Sequence, residues 1–161
     1  MEFHAGDAVM HWVHGLGTIL RLEERDILGK AALYYAVQIG DLTIWVPADK
    51  FLGQRLRRPT PKTRFKRLVE QLATPGEALP ADRHERKLML VELLRDGKAE
   101  SLVRVIRALC AYKKVHSLND NDHTQLNRAD RCLVAEWGQV LSVTPQEAES
   151  ELRRLLESIV A

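Results

Sequence analysis

The sequence predicts an α+β chain in which a small antiparallel β-barrel is followed by an all-α helical bundle. Two observations predict it. Before Pro47 the chain reads as short apolar and aromatic runs separated by turn residues, and after it apolar residues recur at helical spacing. At 161 residues and 45% hydrophobic, the chain can bury real cores, in one domain or two small ones. No stretch is long and apolar enough to span a membrane, and "MEFHAGDAV" lacks the basic and apolar regions of a signal peptide.

The strands come first. "DAVMHWV" sets Ala8, Met10 and Trp12 at alternate positions, and "GTILRLEER" alternates imperfectly, with Ile19 and Leu22 against Arg21 and Glu23. "ALYYAVQI" is rich in β-formers, and "LTIWVP" is a short run closed by Pro47. Turn signals fall between them at His14-Gly15-Leu16-Gly17, Leu28-Gly29-Lys30 and Gly40-Asp41. Gly40 and Asp41 both suit the positive φ of a two-residue hairpin. In "HWVHGLGTIL", Gly15 and Gly17 supply dihedrals that Cβ-bearing residues avoid, His14 orders the turn by hydrogen bonding, and Trp12 packs. Strands of this number and length make a barrel of the SH3 or Tudor type.

The helices follow. Thr60 stands as N-cap with Pro61 at the first helical position, and Phe65, Leu68, Val69 and Leu72 form the apolar face. "TPGEALP" breaks the chain. Asp82 and Glu85 have the spacing of a capping box for a helix stopped by Gly97, with Leu90, Leu93 and Leu94 on its face. A helix over 98–115 buries Leu102, Val105, Ile106 and Leu109. Asn119 and Asp122 cap a third, carrying Leu126, Ala129, Leu133 and Trp137. Thr144-Pro145-Gln146-Glu147 is the strongest start signal, opening a helix with Leu152, Leu155, Leu156 and Ile159 on its face. The expected division is a barrel over 1–54, a basic helix and linker over 55–80, and a helical domain over 81–161.

The net charge of +2 hides a strong asymmetry. Residues 55–118 carry 16 basic and 7 acidic side chains, whereas the segments on either side are net acidic. "RLRRPTPKTRFKR", residues 55–67, holds seven Lys or Arg and no acid. "RHERK", residues 83–87, and Lys113, Lys114 and His116 add two further clusters. Solvated helix faces would account for such residues, but their concentration favours a nucleic acid partner. Basic residues at a helix start oppose the macrodipole, yet they stand where backbone N–H groups can also meet a phosphate. No zinc finger, RNP pattern or helix-turn-helix spacing is present, so contact falls on the backbone or minor groove and is weakly sequence-specific.

Other chemistry is poorly supported. His4, His11 and His14 lack the convergent partners of a metal site. There is no GxSxG, and "HGLGTI" lacks the Lys-Ser/Thr of a P-loop. Cys110 and Cys132 sit in helical patterns, as buried reduced thiols of a cytoplasmic protein do.

"FHAGDAVMHWVHGLGTI", "YYAVQIGDLTIWVP", "LLRDGKAESLVRVIRAL" and "LNRADRCLVAE", in this order, resemble the CarD/CdnL bacterial transcription regulators. The first half alone also resembles the polymerase-interacting domain of transcription-repair coupling factor, and the helical half decides between them. The resemblance implies a Tudor-like domain that docks on the RNA polymerase β subunit, partly by strand addition. It implies a helical domain that holds the minor groove at the upstream edge of the promoter bubble and stabilises the open complex. It further implies a cytoplasmic, monomeric regulator that needs no cofactor, touches no membrane and catalyses no reaction. By this resemblance the polymerase-facing residues are Arg25, Ile44, Trp45, Val46 and Pro47. The DNA-facing residues are Arg83, His84, Arg86, Lys87, Lys113 and Lys114. Two departures from the family stand out. Trp45 occupies a position where relatives carry Arg or an aliphatic residue, and offers a flat apolar anchor. Arg83 occupies the place of the family's wedge tryptophan, and no aromatic lies from residue 67 to 111. The alternative is a protein-interaction adaptor on the polymerase with little DNA binding, which the missing tryptophan and acidic final third favour.

Overall fold

The structure, a computed structural model, describes residues 2–159. The chain divides into two compact units, Met1–Pro59 and Thr60–Ala161. In the first, strands β1 (Ala8–His11), β2 (Gly15–Ile27), β3 (Lys30–Ile39), β4 (Leu42–Pro47) and β5 (Leu56–Arg57) pair antiparallel in the order β4-β3-β2-β1-β5. The small Tudor-like β unit followed by helices is as expected, and its strands form a single sheet. The sheet is open, and among the described residues its edge strands β4 and β5 do not pair with each other.

The imperfect alternation of β2 has a structural cause. The register shifts between Ile19 and Arg21, so that Ile19 lies opposite Val37 and Leu22 opposite Tyr35. One extra residue thus returns Ile19 and Leu22 to the same face. The core of this unit is Phe3, Val9, Ile19, Tyr35, Val37, Val46, Leu52 and Leu56. Tyr35 closes it by accepting a hydrogen bond on its hydroxyl from the Phe3 N–H at 3.2 Å.

The first hairpin turn is ordered differently from expectation. His11, not His14, organises it: its Nδ1 accepts from the N–H groups of Val13 and His14, each at 3.1 Å. Trp12 is 40% exposed rather than packed away. Gly15 has a φ of 82°, but Gly17 is glycine for a different reason. A Cβ there would stand 2.8 Å from side-chain carbons of Ile39 and Val37. In the hairpin before β4 only Gly40 takes positive φ; Asp41 does not.

The second unit contains α1 (Lys62–Gln71), α2 (Arg83–Leu94), α3 (Ala99–Val115), α4 (Asp120–Leu141) and α5 (Pro145–Glu157) around one core. The sequence signals for α4 and α5 are realised as capping boxes, Asn119 with Asp122 and Thr144 with Glu147. Gly97 takes a φ of 64° after α2. The segment between α1 and α2 is fixed to α3, because Arg107 donates to the carbonyls of Thr74 and Pro75 and Arg104 bonds Glu77.

The expected start of α1 needs correction. Its N-cap is Pro61, with no side-chain cap. Thr60 is buried, and its N–H and hydroxyl donate to Glu136 Oε2 at 2.8 and 2.7 Å. With Phe65 edge-on to Trp137 at 6.1 Å, this ties α1 to α4. The division expected over 55–80 therefore does not hold. Residues 55–59 complete the sheet unit through β5, and α1 belongs to the helical one.

Thr60→Val removes a hydroxyl donor from a buried carboxylate. It should lower the urea-unfolding stability of the helical unit by about 1.5–3 kcal/mol, the value of a hydrogen bond to a charged group. Thr60→Ser should restore most of it.

Candidate functional site

The two units present different surfaces. On the sheet, strand alternation sorts the candidates. Trp45 lies opposite Ala36 and Arg21 opposite Ala36 on its other side, while Glu23 lies opposite Tyr34 and Tyr34 opposite Pro47. Arg21, Glu23, Arg25, Trp45 and Pro47 therefore share the face away from the core. Ile44 and Val46 point the other way: Val46 is a core residue, and Ile44 packs against that core. Their side chains support the strand from behind, so only their backbone is placed at the β4 edge.

Arg25 and Trp45 meet on this face. The Arg25 guanidinium lies 4.0 Å from the centre of the Trp45 ring, a cation–π contact. The Trp45 indole N–H donates to Glu23 Oε1, and Glu23 Oε2 accepts from Arg21 Nε at 2.9 Å. Arg25 Nη1 stands 3.8 Å from the same Glu23. The Trp45 hydrogen bond, followed by Arg21, holds the Glu23 carboxyl below its ordinary pKa. Glu23 was absent from the expected contacts, although the spacing Arg21, Glu23, Arg25 in "RLEER" carries the signal of one strand face. Beside this cluster runs β4, an edge strand with one hydrogen-bonded neighbour, β3.

In the helical unit the decisive residue is Arg86. The sequence places it in a solvent-facing basic cluster, but it is 3% exposed. Its Nε and Nη2 donate to Asp122 Oδ1 and Oδ2, both at 2.9 Å, and Nη1 donates to the Pro80 and Ala81 carbonyls. Its guanidinium lies 4.6 Å from the centre of the Tyr112 ring, which itself stacks on His116. Arg86 is withdrawn from the DNA-facing set because its donors are used internally. The Asp122 hydrogen bonds raise the Arg86 pKa despite burial. Burial pushes the Asp122 carboxyl up, but Arg86 and the Asn119 N–H outweigh it and leave the pKa lowered.

This arrangement has a geometric result. It brings the start of α2 to the end of α3, so that Arg83, His84 and Lys87 lie at the same end of the bundle as Lys113 and Lys114. All five are exposed. Among the described residues, Arg83, Lys87 and Lys113 form no ion pair, although the charge of Arg83 reaches Asp82 and that of Lys113 reaches Asp130, and Lys114 Nζ donates to the Ile159 carbonyl at 3.4 Å. Leu88, 57% exposed, and Val91, 44% exposed, continue the outer face of α2. Sequence reasoning missed these two; the surplus of apolar residues in "LMLVELL" over one helical stripe was the available signal.

A second correction concerns the α2 N-terminus. The Asp82 carboxylate already accepts from the N–H groups of His84 and Glu85, at 2.7 and 3.2 Å. Those hydrogen bonds, Glu85 first, lower its pKa. The helix-end donors are thus satisfied by the protein's own anion, and any phosphate contact here falls to side chains.

Between α4 and α5, Asp130 is 14% exposed, and its Oδ1 has no hydrogen-bond partner. Burial pushes its pKa up to about 6, against the pull of Arg153.

Arg86→Met would leave Asp122 buried and unpaired, and should cost about 3–5 kcal/mol in urea unfolding. Adding Asp122→Leu should recover much of that loss. Asp130 has the opposite sign. Its raised folded-state pKa contributes stability that is full below the ordinary carboxylate range and lost as pH rises through about 6. Asp130→Asn should therefore stabilise the protein at pH 7.5 by up to about 3 kcal/mol, and the gain should vanish near pH 4. Denaturation midpoints across that range test this.

Two comparisons bear on these surfaces. Residues 3–58 match the family described as "CarD-like/TRCF RID domain", and residues 67–153 match "CarD, C-terminal domain". The chain is also 25% identical over 152 residues, 92% of this chain and 98% of the relative, to "Putative transcription factor YdeB" of Bacillus subtilis (strain 168). The two domain matches fall in order on the sheet unit and the helical unit, and the chain therefore belongs to the CarD-like family of transcription factors.

Proposed function

We propose that this protein binds the β subunit of RNA polymerase through its sheet unit and upstream promoter DNA through its helical unit, and so modulates the stability of the open promoter complex. It acts in the cytoplasm as a monomer, without a cofactor, and catalyses no reaction. The observation that carries the reading is the convergence of Arg83, Lys87, Lys113 and Lys114 at one end of the bundle, from clusters far apart in sequence. Several cations on one surface are what a phosphate backbone requires. Leu88 and Val91 beside them supply apolar contact to sugar edges in a minor groove. On the sheet, the Arg25–Trp45 pair offers a flat, charged anchor, and the open edge of β4 can accept a partner strand.

One observation favours the adaptor reading. Asp82 occupies the α2 N-terminal donors and sets a negative charge beside the cationic end.

A paired binding experiment with the full chain decides between them. Arg25→Glu should abolish capture by the polymerase β-lobe and leave DNA binding intact. Binding to an upstream-fork DNA should weaken steeply with salt, and Lys87→Gln should reduce the salt slope by about one. Polymerase capture without DNA binding at low salt would establish the adaptor. Absence of both would overturn the proposal.

A further inference from the structure

Three of the seven cations in the longest basic run, residues 55–67, form ion pairs at the surface. Arg55 pairs with Asp49, Arg58 with Asp7, and Arg64 with Glu100. Lys62, Lys66 and Arg67 are different. All three are exposed on α1, and among the described residues none has an acidic partner within ion-pair distance. The core side of the helix is set by Phe65, Leu68 and Leu72. At about 100° per residue, Lys66 and Arg67 then lie on the opposite arc with Thr63 and Glu70 between them, and Lys62 stands on its flank.

This face is locally unfavourable. Lys62 and Lys66 are a like-charge pair one turn apart. Lys62 and Arg64 lie in the first turn, where cations oppose the helix dipole, and no acid lies there. Pro61 provides no side-chain cap. Glu70 lies one turn beyond Lys66 and Arg67 but, among the described residues, forms no ion pair with either, and packing does not use these cations.

We infer that the Lys62–Lys66–Arg67 face of α1 is a second contact for a nucleic acid phosphate backbone, separate from the α2–α3 end. It rests on the DNA-binding reading above and extends it. A phosphate backbone fits better than an acidic protein surface. The exposed large apolar residues include none from α1, so the face lacks the apolar or aromatic anchor that protein interfaces use. Cations without such an anchor suit a contact that carries affinity and no sequence information.

The placement adds a spacing. Arg64 ties α1 to Glu100 at the start of α3, and Arg86 ties α2 to Tyr112 near its end. These anchor points are about 18 Å apart along α3 at a rise of about 1.5 Å per residue. That corresponds to about five steps of a duplex at about 3.4 Å each.

The test uses the full chain in four forms on one duplex DNA across a salt series, with polymerase β-lobe capture alongside. They are wild type; Lys62→Gln with Lys66→Gln and Arg67→Gln; the charge-keeping Lys62→Arg with Lys66→Arg and Arg67→Lys; and Arg83→Gln with Lys87→Gln. The Gln triple should bind at least about tenfold more weakly near 0.1 M salt and lower the salt slope by about 2.7. The charge-keeping triple should bind like wild type. Thermal melting should show the Gln triple at least as stable as wild type. If only the α2 pair loses affinity, this inference fails while the DNA-binding reading stands. If the Gln triple instead loses polymerase capture alone, the face docks on protein and the inference fails. If wild type shows no salt-dependent DNA binding, both fail.

Discussion

The helical unit is organised by the buried contact between Arg86 and Asp122. One guanidinium fixes the carbonyls before α2, the carboxylate that caps α4, and an aromatic ring near the end of α3. Three helix termini therefore meet at one point. Burying two charges is expensive, and a well-packed apolar pair could be as stable. What the ion pair adds is direction. A bidentate guanidinium–carboxylate contact permits few geometries, whereas an apolar contact permits sliding. The exposed cations on α2 and α3 are thereby held at one end of the bundle. Arg86 is a positioning residue for the cluster in which it stands in sequence.

Helix starts were legible because capping is local. Asn119–Asp122 and Thr144–Glu147 satisfy donors within one turn, and their spacing announces it. The two-unit order was legible from the change of apolar period after Pro47. Thr60 misled because its true acceptor, Glu136, lies 76 residues away. Arg86 misled for the same reason: nothing in "RHERK" distinguishes the buried arginine from its exposed neighbours. Ile44 and Val46 were separable in principle from Trp45 by strand alternation, but a short continuous apolar run masks which face is solvated. The open sheet was beyond reach because strand length and turns do not determine whether the two edges join.

The two surfaces use charge in different ways. On the sheet, Arg21 and Arg25 share the one carboxylate of Glu23, and Trp45 caps the cluster, so one of two positive charges is balanced and the geometry is fixed. Such a surface discriminates by shape and by the stacking of one arginine. In the helical unit Arg83, Lys87 and Lys113 form no ion pair among the described residues, so their fields add. A surface of this kind attracts a polyanion strongly and reads little of its sequence.

On the proposed reading, that difference bears on how an α2 without an aromatic residue would act at a promoter bubble. Wedging a duplex costs a few kcal/mol of unstacking per step. A tryptophan brings a large rigid face to offset it, whereas a leucine such as Leu88 gains about 1.5–3 kcal/mol when fully buried. On the proposed reading, Leu88 and Val91 can roughly balance the unstacking but leave little surplus. The surplus must then come from the cations, through release of counterions. A regulator built this way holds an already opened edge more than it pries one open, and its grip weakens as salt rises. The buried Arg86 matters here too, because cations act together on a backbone only while the helices that carry them keep their relative positions.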